Sequence, residues 1–229
     1  YNQLATTLLQ IENEFYGTIR PKRVIHQGER PLHALRERGV EYVEVRLMDL
    51  DPFIPVGITA ATMRFLDVFL LHCLLTDSPP DTPEEIAALG RNQHRTAARG
   101  REPGLMLERN GEELSLFDWG LSLIDQCVPI AAALDVAHGV THYSAAVTAA
   151  RTSLQQPDTL PSARVLASMA KDFDNSFVKF VRAQSAQTQT TLLALPFSAE
   201  QQIQFEEMTR QSIAEQKAIE AADTMPFEI

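Results

Sequence analysis

Cysteine is scarce in this chain. Its 229 residues hold two, Cys73 and Cys127, too few for the disulfide framework that staples small secreted domains. Both lie in apolar, helix-patterned surroundings without a motif that would activate a nucleophile, so the expectation is reduced core thiols in a cytosolic protein. Basic charge is also in deficit: 20 Lys and Arg against 30 Asp and Glu leave a formal charge of −10. That balance repels nucleic acid and anionic membranes, and neither is expected as a partner. No uninterrupted run reaches the ~18 apolar residues of a membrane span, the longest, Phe65 to Leu75, being broken by Asp67 and His72. A Walker loop and a kinase-type glycine loop are both missing, so the familiar nucleotide folds are not indicated. The lone tryptophan, Trp119, reads as a packing residue.

What the sequence does have is charge concentrated on two strand-like stretches near its start. The first runs from Gln10 to Tyr16 and continues into Ile19 to Arg23; the second runs from Val40 to Leu47. Side chains alternate across a strand. Glu12, Glu14 and Tyr16 therefore share one face, with Ile11, Asn13 and Phe15 on the other. In the second stretch Tyr42, Glu44 and Arg46 project together, and Val43, Val45 and Leu47 form an apolar face expected to pack beneath helices. Arg20, Lys22 and Arg23 stand close by in sequence. Two accounts of this inventory compete. An antiparallel sheet often turns a charged face to water, with acid–base pairs crossing between strands. Alternatively, carboxylates hold Mg²⁺ while guanidinium and ammonium groups grip phosphate oxygens, the combination that phosphoryl transfer requires.

Composition turns helical after the Pro55 and Gly57 turn. Before it, a short helix is expected over Pro31 to Arg38, closed by Gly39. Beyond it the spacing predicts helices from Thr59 to Leu75; from Pro83 to about Gly100, capped by Thr82; from Leu116 to about Ala137, bent or split by Pro129; from Tyr143 to Leu154; from Ala163 to about Gln187; and from Ala199 to about Ala222, an acidic outer helix. Asn110-Gly111 marks a hairpin between Leu105–Leu107 and Leu114–Leu116. Arg91, Arg95 and Arg99 form a ladder that either pairs with acidic neighbours or approaches a nucleotide, with Arg101 close by. His138 and His142 have the spacing of metal ligands, but Gly139 interrupts the helix between them.

The blocks Tyr1-Asn2-Gln3-Leu4, Gln10 to Tyr16, Ile19 to Arg23, Glu41 to Arg46 with Asp49 and Pro52-Phe53, Gly100-Arg101 with Pro103-Gly104-Leu105, and Glu220 to Thr224 with Pro226-Phe227 resemble the C-terminal part of the proteobacterial glutamate–cysteine ligases. Only the block Gln10 to Arg23 is specific by itself; the others support it by order and position. Asp172 to Ser185 lacks a glycine-rich run associated with one relative of that family. The resemblance implies an α+β fold of the glutamine-synthetase-like superfamily, with part of an antiparallel sheet over residues 10–50. It also implies that residues 1–229 are a single C-terminal fragment of a larger catalytic domain, with sheet and active-site strands over 1–57 and mainly helix over 58–229. A missing N-terminal half is then an expected partner, and the carboxylate face half of a site.

The family joins the γ-carboxyl of L-glutamate to the amine of L-cysteine at the expense of ATP, through an acyl phosphate, in the first step of glutathione synthesis. By matched position, the resemblance implies Glu44 as a Mg²⁺ ligand, Arg46 as a grip on the transferring phosphoryl group and Tyr16 as a wall of the amino-acid pocket. Glu12 and Glu14 are further metal candidates, and Arg20, Lys22 and Arg23 further phosphate candidates. The competing expectation is a mainly helical subunit module without activity of its own.

Overall fold

The computed structural model describes residues 6, 10–11, 16–46, 48–78 and 80–224. The chain divides into two compact units, Tyr1–Asp51 and Pro52–Ile229.

In the first unit, β1 (Ile19–Lys22) pairs antiparallel with β2 (Tyr42–Val45), and helix α1 (Pro31–Arg38) lies in the connection. The register sets Ile19 opposite Val45, Arg20 opposite Glu44, Pro21 opposite Val43 and Lys22 opposite Tyr42. Directly opposed residues share a face, so the period-2 pattern separates Ile19, Pro21, Val43 and Val45 from Arg20, Lys22, Tyr42 and Glu44. Pro21 is tolerated because a two-stranded ribbon consists of edges. Pro31 starts α1, and Gly39 ends it at φ 72°, donating to the Leu35 carbonyl. A clasp of ion pairs then fixes the connection. Arg38 donates through Nη1 and Nη2 to both Glu29 oxygens at 2.7 and 2.8 Å and through Nη2 to the Val24 carbonyl at 2.9 Å. Arg23 donates to the Arg38 carbonyl at 3.0 Å, and Glu41 accepts from the Val24 amide at 3.1 Å.

Two expectations for this region are corrected, and a third lies largely outside the described residues. Residues 12–15 lie outside the described residues, and Gln10, Ile11 and Tyr16 are in no strand; among the described residues the unit has two strands rather than three extended segments. Arg46 falls just beyond β2, although its amide still donates to the Thr18 carbonyl at 2.8 Å. Val43 and Val45 are not packed beneath helices: they remain 43% and 37% exposed. Alternation fixes which side chains share a face, whereas what covers that face is a tertiary matter.

The second unit is organised on α2 (Ala60–Leu75), α4 (Leu116–His138) and α5 (His142–Gln155). Val68, Ile124, Cys127, Ala131 and Val147 form its buried cluster, with Phe65, Phe69, Leu134 and Leu154 packed against it. Thr59 caps α2 by accepting from the Thr62 amide. A buried aspartate of α4 does the same for α5. Asp135 accepts from the Tyr143 and Ser144 amides at 2.9 Å each, replacing the cap that Thr141 does not supply. Burial alone would raise its pKa, but the hydrogen bonds from Ser144 and Tyr143 outweigh burial and hold the carboxyl below its ordinary value.

Helix α3 (Pro83–Arg99), capped by Thr82, carries the hairpin β3 (Met106–Arg109) and β4 (Glu112–Ser115). Asn110 and Gly111 both take positive φ, 53° and 80°, as a tight two-residue hairpin turn demands. Buried Asn92 grips the hairpin edge, donating to the Glu108 carbonyl at 2.7 Å and accepting from its amide at 2.8 Å. Around Phe180, which is 1% exposed, the rings of Phe53, Phe173 and Phe177 stand 5.7, 5.8 and 6.4 Å away. Helix α8 (Ala199–Ala222) starts with a Ser198–Gln201 capping box and has no buried residue. It is the acidic outer helix expected.

The helical unit brings four corrections. The helix predicted over Ala163 to Gln187 is two, α6 (Pro161–Asp172) and α7 (Phe177–Leu193). Asp174 and Asn175 adopt φ 52° and 57° between them, a left-handed pair that ends one helix before Ser176 caps the next. Of the bend or split expected at Pro129, the split does not occur: α4 is one helix with the proline inside it. Cys127 is buried but Cys73 is exposed. Helix α4 is also long and apolar enough, by length and mean hydropathy, to cross a membrane, which a count of uninterrupted apolar residues overlooks. Its Ile124, Cys127 and Ala131 belong to the core cluster, and Asp118, Asp125 and Asp135 punctuate it, so it is the central core helix of its unit.

Candidate active-site face

The polar face of β1 and β2 gathers most of the residues singled out from sequence. Arg20 and Glu44 are paired across the strands, and Lys22, two pairs further along on the same face, closes on Glu44 with Nζ 3.3 Å from Oε2. Beyond the other end, Arg46 donates from Nη2 to the Tyr16 hydroxyl at 2.6 Å. Its guanidinium carbon lies 4.1 Å from the Tyr16 ring centroid, a cation–π stack. Tyr16 and Arg46, thirty positions apart, thus meet because the β1–β2 register places residue 18 opposite residue 46. The face carries Arg20, Lys22 and Arg46 against the single described carboxylate Glu44. It is a cationic strip suited to a multiply charged anion.

Other predicted residues lie elsewhere. Arg23 belongs to the clasp, with Nε 3.5 Å from Glu41 Oε2 and Nη1 bonded to the Arg38 carbonyl. Glu12 and Glu14 lie outside the described residues. The arginine ladder of α3 pairs with acids: Arg91 with Glu108 at 2.5 Å, Arg95 with Glu108 at 2.9 Å and Arg99 with Glu102 at 2.6 Å. Those contacts fasten α3 to β3 and to the following turn. His138 and His142 end one helix and begin the next across Gly139, and the His138 ring stands 5.8 Å from Tyr143. Among the described residues no three His, Cys, Asp or Glu side chains are grouped to hold a metal ion.

Sequence reasoning did not find the residues that hold the face in place. Glu29 is the foremost of these: hydrogen bonds from Arg38, and then from the His26 amide, lower its pKa to about 2. A glutamate nine positions before an arginine across a short helix gives no periodic signal. Asn92 and Asp135 escaped notice for the same reason, since each serves the backbone of a remote segment.

Comparison with known proteins bears on this geometry directly. Residues 1–96 match the family model of glutamate-cysteine ligase. Over 99% of its length the chain is 45% identical to a glutamate–cysteine ligase of Janthinobacterium sp. and 46% identical to one of Bordetella parapertussis. The chain is similar to one part of the bacterial glutamate–cysteine ligases. It spans about 43% of the length of these curated relatives. Its fold agrees with the same likeness: 98% of the chain superposes on 44% of a Francisella tularensis glutamate–cysteine ligase, crystallised in complex with AMP, with a TM-score of 0.83 and 32% identity. The resemblance read from the sequence blocks between Tyr1 and Phe227 is borne out, as is the α+β class with short antiparallel strands.

Proposed function

We propose that this chain is the C-terminal part of an ATP-dependent ligase that joins the γ-carboxyl of L-glutamate to the amine of L-cysteine, the first step of glutathione biosynthesis. The near-complete match to relatives of that name carries the reading, and the composition of the β1–β2 face agrees with it. On this reading the chain supplies part of an active site completed by an N-terminal half. Two free cysteines and a net charge of −10 fit a cytoplasmic setting.

A carboxylate is a poor acyl donor because its leaving group would be oxide. Transfer of the ATP γ-phosphoryl group to the glutamate γ-carboxylate gives γ-glutamyl phosphate and ADP. Attack by the cysteine amine then forms the amide, releasing phosphate and a proton. No covalent nucleophile is required of the protein, whose task is to neutralise charge and align three reactants. Arg46 carries a planar, permanently charged donor fork matched to a phosphoryl group in transit. Arg20 and Lys22 extend the positive strip along β1 toward the remaining phosphates. Arg23, tied to Glu41 and to the end of α1, steadies the strip instead of touching the nucleotide. Tyr16 offers an exposed ring as one wall of the amino-acid pocket.

Mg²⁺ is held in phosphoryl-transfer sites by one or two carboxylates together with the substrate's own phosphates. Glu44, only half-shielded and paired with a flexible lysine, fits that sparse donor set; Glu12 and Glu14 remain further candidates from the sequence. Bound there, the ion would offset charge on the β- and γ-phosphates. The test is γ-glutamylcysteine formation from glutamate, cysteine and ATP by this chain supplied with a complementary N-terminal half. The expected result is activity only when both parts are present. Robust turnover by the 229-residue chain alone would overturn the shared site, and no product from the combination would overturn the ligase reading.

A further inference from the structure

We propose that Tyr16 is a positioning residue for Arg46, holding its guanidinium on the cationic face in the orientation that meets a phosphoryl group. The inference rests on the ligase reading for the identity of that anion. It goes beyond a pocket wall, because it makes the tyrosine act through the arginine.

Two contacts carry it. The guanidinium is stacked over the ring at 4.1 Å and bonded to the hydroxyl at 2.6 Å. A long arginine side chain loses substantial rotamer entropy when it is fixed, and an exposed arginine beyond the end of a strand would sample many orientations. Here one flat surface and one acceptor confine it together, and the backbone bond from the Arg46 amide to the Thr18 carbonyl anchors its root. The acceptor is neutral, in contrast to the carboxylates that occupy Arg91, Arg95 and Arg99. Among the described residues no carboxylate pairs with Arg46, so there it is oriented without its charge being cancelled, the condition a preorganised anion grip must meet. Tyr16 itself is 69% exposed, so it contributes little to a core and can be changed without unfolding the unit.

The test uses NMR on the 229-residue chain, comparing wild type, Tyr16→Phe and Tyr16→Leu, each with Arg46 intact and with Arg46→Ala. Protons stacked on an aromatic face are shifted upfield, so the Arg46 side-chain resonances should show that displacement in wild type and Tyr16→Phe and lose it in Tyr16→Leu. Titration with tripolyphosphate, followed to millimolar concentrations, should show about fivefold weaker binding for Tyr16→Leu and about twofold for Tyr16→Phe. With Arg46→Ala in place, Tyr16→Leu should cause no further loss, the non-additivity expected of residues acting as one unit. Absence of the ring shift in wild type, or an equal loss from Tyr16→Leu in both backgrounds, would overturn the inference while leaving the ligase reading intact. A wild-type chain whose Arg46 resonances ignore tripolyphosphate would overturn both the inference and the phosphate-gripping role it serves.

Discussion

The two units of this chain are held together by different forces. In the helical unit, Val68, Ile124, Cys127, Ala131, Val147 and Phe180 are buried, whereas in the β1–α1–β2 unit Ala34 is the one buried hydrophobic residue among those described. The smaller unit coheres through a two-stranded ladder and the Glu29–Arg38–Arg23–Glu41 clasp, in which Glu29 is largely shielded, with a side chain 11% exposed, and the other groups are partly exposed. Partly exposed ion pairs are individually weak, and isolated two-stranded ribbons are marginal. The contrast separates two kinds of residue: those proposed to meet the phosphates sit on an element whose Val43 and Val45 stay partly exposed, and most of the buried apolar residues sit in the other unit. The larger unit should therefore respond to packing changes and the smaller one to changes of charge.

Truncation inside the aromatic cluster should give the largest effect. Phe180→Ala removes the ring around which Phe53, Phe173 and Phe177 gather, and a buried Phe→Ala change costs about 3–5 kcal/mol. The measurement is urea unfolding followed by helical circular dichroism. A loss below about 1 kcal/mol would mean that the cluster is loosely packed and that the contrast between the units is overstated.

On the charged face the expected response is catalytic. If the ligase reading holds, Arg46→Ala and Glu44→Gln in the complete enzyme should each lower turnover by about two orders of magnitude or more, because one preorganised charge at a transferring phosphoryl group contributes about 3 kcal/mol. Thermal stability should hardly move. Near-normal product formation at saturating ATP and Mg²⁺ by either variant would make the pair structural.

A pH titration isolates the clasp. Glu29 has a folded-state pKa lowered to about 2 from an ordinary 4.5, so its contribution to stability is complete above the ordinary value. As pH falls from 4.5 toward 2 the unfolded chain takes up the proton first, and the contribution is lost progressively. The Glu29 side-chain carboxyl carbon, followed by NMR, should titrate near 2. A midpoint close to 4.5 would show that Arg38 does not hold it.

The sequence was most informative wherever a local rule governs. Thr59, Thr82 and Ser198 cap helices at the expected starts, Asn110-Gly111 turns a hairpin, and alternation separates Tyr42 and Glu44 from Val43 and Val45, whereas the register that sets Arg20 and Lys22 on the Glu44 face and brings Arg46 to Tyr16 is a property of the fold. It was uninformative wherever a side chain serves a distant backbone. Asp135 capping α5, Asn92 holding Glu108 and Arg38 gripping Val24 leave no periodic trace, because any polar residue at those positions reads as solvated. The Asp174–Asn175 break was missed because helical periodicity continues across it, while the left-handed tolerance of Asp and Asn is visible only as two polar residues. The exposed Val43 and Val45 represent a third kind of miss, for alternation identifies an apolar face without naming its cover.

The smallest effect should come from Lys22→Ala, and its sign on two ligands is what makes it useful. The Lys22–Glu44 pair spans 3.3 Å between side chains 33% and 41% exposed, so solvent screening leaves it worth under about 1 kcal/mol, and the melting transition should barely shift. A destabilisation well above that would show that the ribbon depends on this pair, and the contrast between a packed unit and a charge-bearing one would fail. Ligand binding should respond in opposite directions. Lys22 neutralises Glu44, so removing it exposes the carboxylate to a divalent cation, and Mg²⁺ titration followed at the Glu44 carboxyl should show tighter binding. The same substitution takes one positive charge from the strip, and tripolyphosphate should bind more weakly, with a shallower salt dependence because one fewer cation meets the anion. Loss of affinity for both ligands would mean that Lys22 organises the whole face. Loss for neither would return the pair to the solvated cross-strand contact that charged sheet faces commonly display.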